Sequence, residues 1–177
     1  MSHRLYQTEG LILAAHHYGE ANSFYHILTP DLGLIGASAQ GVRYLKSKLR
    51  SQLRLFDHAR LTLVRGRQVW RLVGAESHDL LGSIAPVPEH LAIWARVANL
   101  VRRLMPGEQA QPEIFTDLLS GLNFLVRARS ADLNNVELIM VLRLLKFLGY
   151  VSSATFITPW LQSDLWPQLD AGLRPEE

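Results

Sequence analysis

Apolar and polar positions alternate with a period of two through most of residues 1–76, in runs at residues 6–15, 23–28, 34–39, 53–64 and 69–76. The runs are separated by Tyr18-Gly19-Glu20, by Thr29-Pro30-Asp31-Leu32-Gly33, by a basic segment and by Arg65-Gly66-Arg67, which predicts five short strands. Gly10, inside the first run, permits the bend or bulge that a small barrel needs. Between the third and fourth runs Leu45, Leu49 and Leu53 recur every four residues, a spacing that predicts a short helix. Five strands with a helical link after the third make the pattern of an OB-fold barrel.

Past Leu81-Gly82-Ser83 and Pro86-Val87-Pro88 the period lengthens to about 3.6 residues. Leu91, Trp94, Val97 or Ala98, Val101 and Leu104 line one helical face that must stop before Pro106-Gly107. Pro112-Glu113 opens a second helix with the stripe Phe115, Leu118, Leu119, Leu122, Leu125 and Val126. Asn134 or Asn135 is expected to cap a third, largely buried helix that ends at Gly149. The expected class is α+β: a five-stranded OB-fold barrel over residues 1–80, an all-α domain over 84–150, and a tail over 151–177. The tail is expected to lay Trp160 and Trp166 on the helical domain, a binding use of either being the alternative.

Composition narrows the function classes. An apolar fraction of 48% over 177 residues suffices for packed cores, and no apolar run reaches the roughly 18 residues of a membrane span, so a cytoplasmic protein is expected. The absence of cysteine excludes disulfides, thiol nucleophiles and cysteine-held zinc. Charge is uneven, with ten basic against five acidic residues through His78 and eight against eleven from Asp79 onward. A polyanion would therefore meet the first half.

The basic segment Gln40-Gly41-Val42-Arg43-Tyr44-Leu45-Lys46-Ser47-Lys48-Leu49-Arg50 has no acidic residue. Arg43, Lys46, Lys48, Arg50 and Arg54 are candidate phosphate contacts, and Tyr44 a candidate base-stacking ring. Arg65 and Arg67, in the turn between the last two strands, are placed to clamp a strand from the far rim; alternatively they stay solvated in a hairpin where Gly66 supplies positive φ. Phe24, Tyr25 and Trp70 alternate with apolar neighbours and read as barrel core.

Catalytic signatures are missing: there is no phosphate loop, nucleophile elbow, His-Glu-x-x-His or paired-carboxylate motif. His16 and His17 are adjacent on an extended segment and point to opposite faces, so no metal, no cofactor and no enzymatic activity are assigned.

Thr8-Glu9-Gly10-Leu11-Ile12-Leu13, Tyr18-Gly19-Glu20, Thr29-Pro30-Asp31-Leu32-Gly33, Gly41-Val42-Arg43, Leu53-Arg54-Leu55-Phe56, Arg65-Gly66-Arg67, Ala75-Glu76 and Leu144-Leu145-Lys146-Phe147-Leu148-Gly149-Tyr150 stand in an order that resembles the RecO family of bacterial recombination mediators. The resemblance implies an OB domain followed by helices, binding of single- and double-stranded DNA, strand annealing, and cooperation with RecR in loading RecA onto strands coated by single-stranded DNA-binding protein, in the cytoplasm at the nucleoid. Two departures stand out. Leu34, Gly36 and Gln40 occupy a third strand that is commonly basic in the family, and the four-cysteine zinc module that many members carry after Leu-Gly-Tyr is missing.

In the helical half Arg143 and Lys146 are three apart on an apolar helix and are expected to rim a groove for an acidic, aromatic-ended peptide such as the tail of single-stranded DNA-binding protein. The alternative pairs them with Glu137, Asp132 or Glu113, or has them snorkel at the domain edge. Two functions follow: a DNA-binding mediator, or a protein-interaction adapter whose degenerate barrel has little DNA affinity.

Overall fold

The computed structural model describes residues 4–151 and Trp166. Its strands are β1 (Leu5–Tyr18), β2 (Asn22–Thr29), β3 (Gly33–Ala39), β4 (His58–Arg65) and β5 (Trp70–Ser77). They close into a barrel in the order β1-β2-β3-β5-β4, with β4 returning to β1. Every ladder is antiparallel except β3 with β5, which run parallel and pair Ala37 with Trp70. This is the OB-fold barrel that the alternation predicts.

The long first strand serves two partners, pairing β4 through Leu5–Leu11 residues of its first half and β2 from Leu11 onward. The register shift lies between Ile12 and Ala14 rather than at Gly10. Gly10 is needed for another reason: a Cβ there would stand 2.6 Å from Leu61 Cδ1 and 2.7 Å from Ile27 Cγ2 inside the barrel. Ile12, Tyr25, Ile27, Ile35, Leu61 and Trp70 belong to that interior core.

The link between β3 and β4 departs from expectation. Residues 40–52 form successive turns, with Tyr44, Ser47 and Arg50 amides each donating three residues back, and no helix. Leu45 is 88% exposed, so the four-residue repeat never becomes a buried stripe; only Leu49 and Leu53 reach the barrel. The fourth strand starts at His58 instead of near residue 53, because Phe56 takes a positive φ of 70° and turns away from the barrel. Gly66 does not supply a positive φ; a Cβ there would collide with the Val69 carbonyl in the β4–β5 turn.

A short helix α1 (Leu80–Ile84), absent from the periodicity, precedes α2 (Pro88–Leu104), α3 (Pro112–Arg127) and α4 (Leu133–Phe147). Proline opens both α2 and α3, followed by Glu89 and Glu113, and arginines close them, as the helix dipole favours. Neither Asn134 nor Asn135 caps α4: a 3₁₀ turn at Ser130–Asp132 feeds the chain straight into the helix and puts both asparagines in its first turn. Gly149 ends α4 at φ 79°, with its amide on the Lys146 carbonyl and the Tyr150 amide on that of Leu145, a Schellman closure. Leu138, at 55% exposure, departs from the expected burial of this helix.

The helices do not form a separate core. Leu11, Leu13 and Leu28, on the outer barrel face, join Trp94, Val97, Leu118, Leu122 and Met140 in one cluster. Trp94 Nε1 donates to the Phe56 carbonyl at 3.0 Å, and the Leu34 amide donates to the Gly107 carbonyl at 2.9 Å. Of the two tail tryptophans, Trp160 lies outside the described residues, whereas Trp166 is buried against Phe124 with ring centroids 5.6 Å apart. Among the described residues no helix is long and apolar enough to cross a membrane.

Candidate nucleic-acid interface

The β3–β4 link hangs from the β1–β2 turn by backbone geometry. Gly41, at φ 64°, donates its amide to Asn22 Oδ1 at 2.9 Å, and the Arg43 amide donates to the Ala21 carbonyl at 3.0 Å. Val42 and Leu53 are buried at its ends, which leaves the residues between them at the surface. Arg43, Tyr44, Lys46, Lys48 and Arg50 are all exposed. Arg43 and Arg50 line the same 320 Å³ cleft at the barrel mouth, with His17, Glu20, Ser23 and Tyr25.

None of these four cations makes an ion pair with a carboxylate among the described residues; Arg43 has only a 3.5 Å contact from Nη1 to the Gly19 carbonyl. Tyr44 is 63% exposed, and the neighbouring Leu45 adds a bare apolar surface that sequence reasoning passed over. Arg71, also missed, points outward from β5 beside Leu49 and Gln40; the alternation of buried Trp70 and exposed Arg71 was the available signal.

Arg54 belongs to a different structure. Its Nε and Nη2 donate to Asp57 Oδ2 at 3.2 and 2.9 Å, and Nη2 also pairs with Asp79. Those carboxylates hold the guanidinium pKa above its ordinary value. The phosphate-contact expectation for Arg54 is therefore replaced by a structural role. Asp57 has no exposed surface and accepts further bonds from Ser77 Oγ at 2.6 Å, from the His58 amide at 2.9 Å and from the Leu81 amide at 3.1 Å. Burial alone would raise the Asp57 carboxyl, but these donors outweigh it and hold it below the usual carboxylate range. One side chain thus ties together β4, β5, the basic link and the start of α1.

On the far rim Arg65 pairs with Glu108 and lies 4.7 Å over the Trp70 ring, so its charge is already answered. Arg67 is exposed beside it without an ion pair among the described residues. The third strand offers no phosphate surface: Leu34 packs against the helical core and the Phe24 ring covers Gly36.

Of the expected pair, Arg143 lines a cleft of about 540 Å³ with Glu113, Asp117, Phe147 and Trp166, and Lys146 is not part of that lining. Arg143 is 3% exposed and its Nε donates to Asp117 Oδ1 at 2.7 Å, an oxygen that also accepts from Trp166 Nε1 at 3.1 Å. Asp117 already answers the Arg143 charge, and with Glu113 it makes the lining of that cleft partly acidic, which works against an acidic peptide there. Arg143 does not pair as the alternative had it, since Glu137 holds Arg96 and Asp132 holds Arg129. Lys146, in the last turn of α4, is not without a partner.

His16 and His17 do not meet each other; His16 stands edge-on to His26, with centroids 5.7 Å apart. His58 and His78 converge on Glu9. Burial and the neighbouring His78 push the His58 imidazole pKa down; burial would raise the Glu9 carboxyl, but bonds from His78 and Arg60 hold it down.

Comparison with known proteins matches residues 1–81 to the family model described as recombination protein O N terminal, and residues 87–154 to recombination protein O C terminal. A DNA repair protein RecO of Dehalococcoides mccartyi is 34% identical over 128 residues, 72% of this chain and 51% of that protein. The proteins of the same name from Heliobacterium modesticaldum and Roseiflexus sp. are 32% and 33% identical over 83% and 85% of this chain, and 52% of each relative is covered. The chain thus spans about half the length of the curated relatives it matches.

Proposed function

The chain belongs to the recombination protein O family, and from that membership and the state of its cations we propose that it binds DNA as a mediator of repair and recombination. In this reading it engages single- and double-stranded DNA without sequence preference, anneals complementary strands, and works with RecR and single-stranded DNA-binding protein to load the recombinase, in the cytoplasm at the nucleoid and without catalytic turnover. The observation that carries it is a contrast. Arg54, Arg60 and Arg65 are engaged by carboxylates, whereas Arg43, Lys46, Lys48 and Arg50 are exposed and make no ion pair among the described residues. Cations without internal partners are available to displace counterions from phosphates. Tyr44 among them supplies a ring for unpaired bases. The alternative, an adapter whose degenerate barrel has little DNA affinity, would have Arg43, Lys46 and Lys48 paired with acids, and their exposure without ion pairs favours the mediator.

Titration of fluorescent single- and double-stranded DNA across a salt series tests the proposal. Replacing Arg43, Lys46 and Lys48 by alanine together should reduce the slope of log affinity against log salt by about 2–3. A folded protein that fails to bind either DNA at low salt, or a slope unchanged in the triple variant, would overturn it.

A further inference from the structure

At the end of the barrel nearest α1, strand register brings three ligand-type side chains to one point. Glu9 pairs with Arg60 and Leu11 with His58 across the β1–β4 ladder, so Glu9 and His58 leave the same face one pair apart. Across β4 and β5 the His78 amide donates to the His58 carbonyl at 2.9 Å, extending the ladder one pair beyond Ala59 and Ser77. The two imidazoles consequently lie side by side, ring centroids 4.5 Å apart.

Both rings turn Nε2 toward the same carboxylate oxygen: Glu9 Oε2 is 3.2 Å from His58 and 2.8 Å from His78. The His58 approach is off the line of a hydrogen bond, which leaves a buried Nε2 without a hydrogen-bond partner. The other carboxylate oxygen, Oε1, accepts from Arg60 Nε at 3.2 Å, which orients the carboxylate so that Oε2 faces both imidazoles. The three ligand atoms lie within 4.8 Å of one another. Atoms bound at about 2.0–2.2 Å to one ion are themselves roughly 3–3.5 Å apart, a geometry reached here by small side-chain rotations.

We propose that Glu9, His58 and His78 form a binding site for a divalent transition-metal ion of the zinc class. Two imidazoles and one carboxylate are the donors such ions prefer, whereas magnesium and calcium favour all-oxygen sets. His78 and Glu9, at 37% and 33% side-chain exposure, leave an entry path and room for water to complete the coordination. Because the His58 ring also faces Phe115 of α3, with centroids 6.0 Å apart, a bound ion would fasten three strand ends beside the helical half. This site uses no cysteine and is independent of the DNA-binding proposal.

The test is isothermal titration of the tag-free, chelator-stripped chain with zinc(II), together with the visible spectrum of added cobalt(II). One saturable equivalent is expected, weakened about tenfold or more in His78→Ala and in Glu9→Gln and unchanged in His17→Ala. The cobalt bands should disappear in His78→Ala, a change at an exposed position that preserves the fold by circular dichroism. No saturable binding, or binding that survives in both His78→Ala and Glu9→Gln, would overturn the site.

Discussion

Arg54 closes on Asp57 through two nitrogens, Nε at 3.2 Å and Nη2 at 2.9 Å, and the carboxylate that receives them is wholly buried. Removing the acid strands a set of donors. Asp57→Ala should cost about 3 kcal/mol, because the Ser77 hydroxyl and the His58 and Leu81 amides lose their acceptor together. Urea unfolding followed by circular dichroism measures it; a loss below about 0.5 kcal/mol would mean that water replaces the carboxylate at no cost.

The same carboxylate predicts an acid limb. Its folded pKa lies below the unfolded value, so its stabilisation is complete above about pH 4 and is lost as pH falls through the folded value. His58 acts in a higher window. Its folded pKa is depressed, so below about pH 6.5 the unfolded chain takes up a proton that the folded chain does not, and stability declines. Urea midpoints recorded from neutral pH downward in the presence of chelator should fall in two stages, and Asp57→Ala should flatten only the more acidic one.

Arg54 and Lys48 separate structure from binding. Lys48→Ala should leave the urea midpoint in place and lower the DNA salt slope by about 0.7–0.9. Arg54→Ala should lower the midpoint through Asp57, and any residual folded protein should keep the salt slope. The reverse pattern in paired titrations and melts would exchange the two roles.

Arg143 and Asp117 form a buried pair, 3% and 8% exposed. Either Arg143→Met or Asp117→Leu alone leaves a charge without its partner and should cost about 3–5 kcal/mol, whereas the double change should be markedly milder than the sum. A double-mutant cycle by chemical denaturation checks this, and additive losses would exclude coupling.

Periodicity located the five strands and the faces of α2 and α3 because each buries one side of a regular element. It misjudged residues 44–53, where a helical repeat of leucines had no surface to pack on, and Leu45 stayed in solvent. Arg54 shows the other kind of failure. Asp57, three residues on, is a local cue that sequence reasoning passed over, whereas Asp79 is brought to Arg54 only when β5 closes the barrel and returns the chain to α1. Arg143 misled for the same reason, its carboxylate lying on α3. The exposure of the basic link was legible because a run without acids needs no tertiary information, and the Glu9, His58 and His78 cluster was not, because it depends on register.

Leu11, Leu13 and Leu28 face the helices from the outside of the barrel, and during synthesis that order of events matters. At typical ribosomal rates the chain from Ser77 to Phe147 takes roughly ten seconds to emerge, and a barrel already closed would wait that long with an oily flank uncovered. Midway through its translation the nascent protein therefore carries an apolar flank open to self-association, which the arrival of the helices closes.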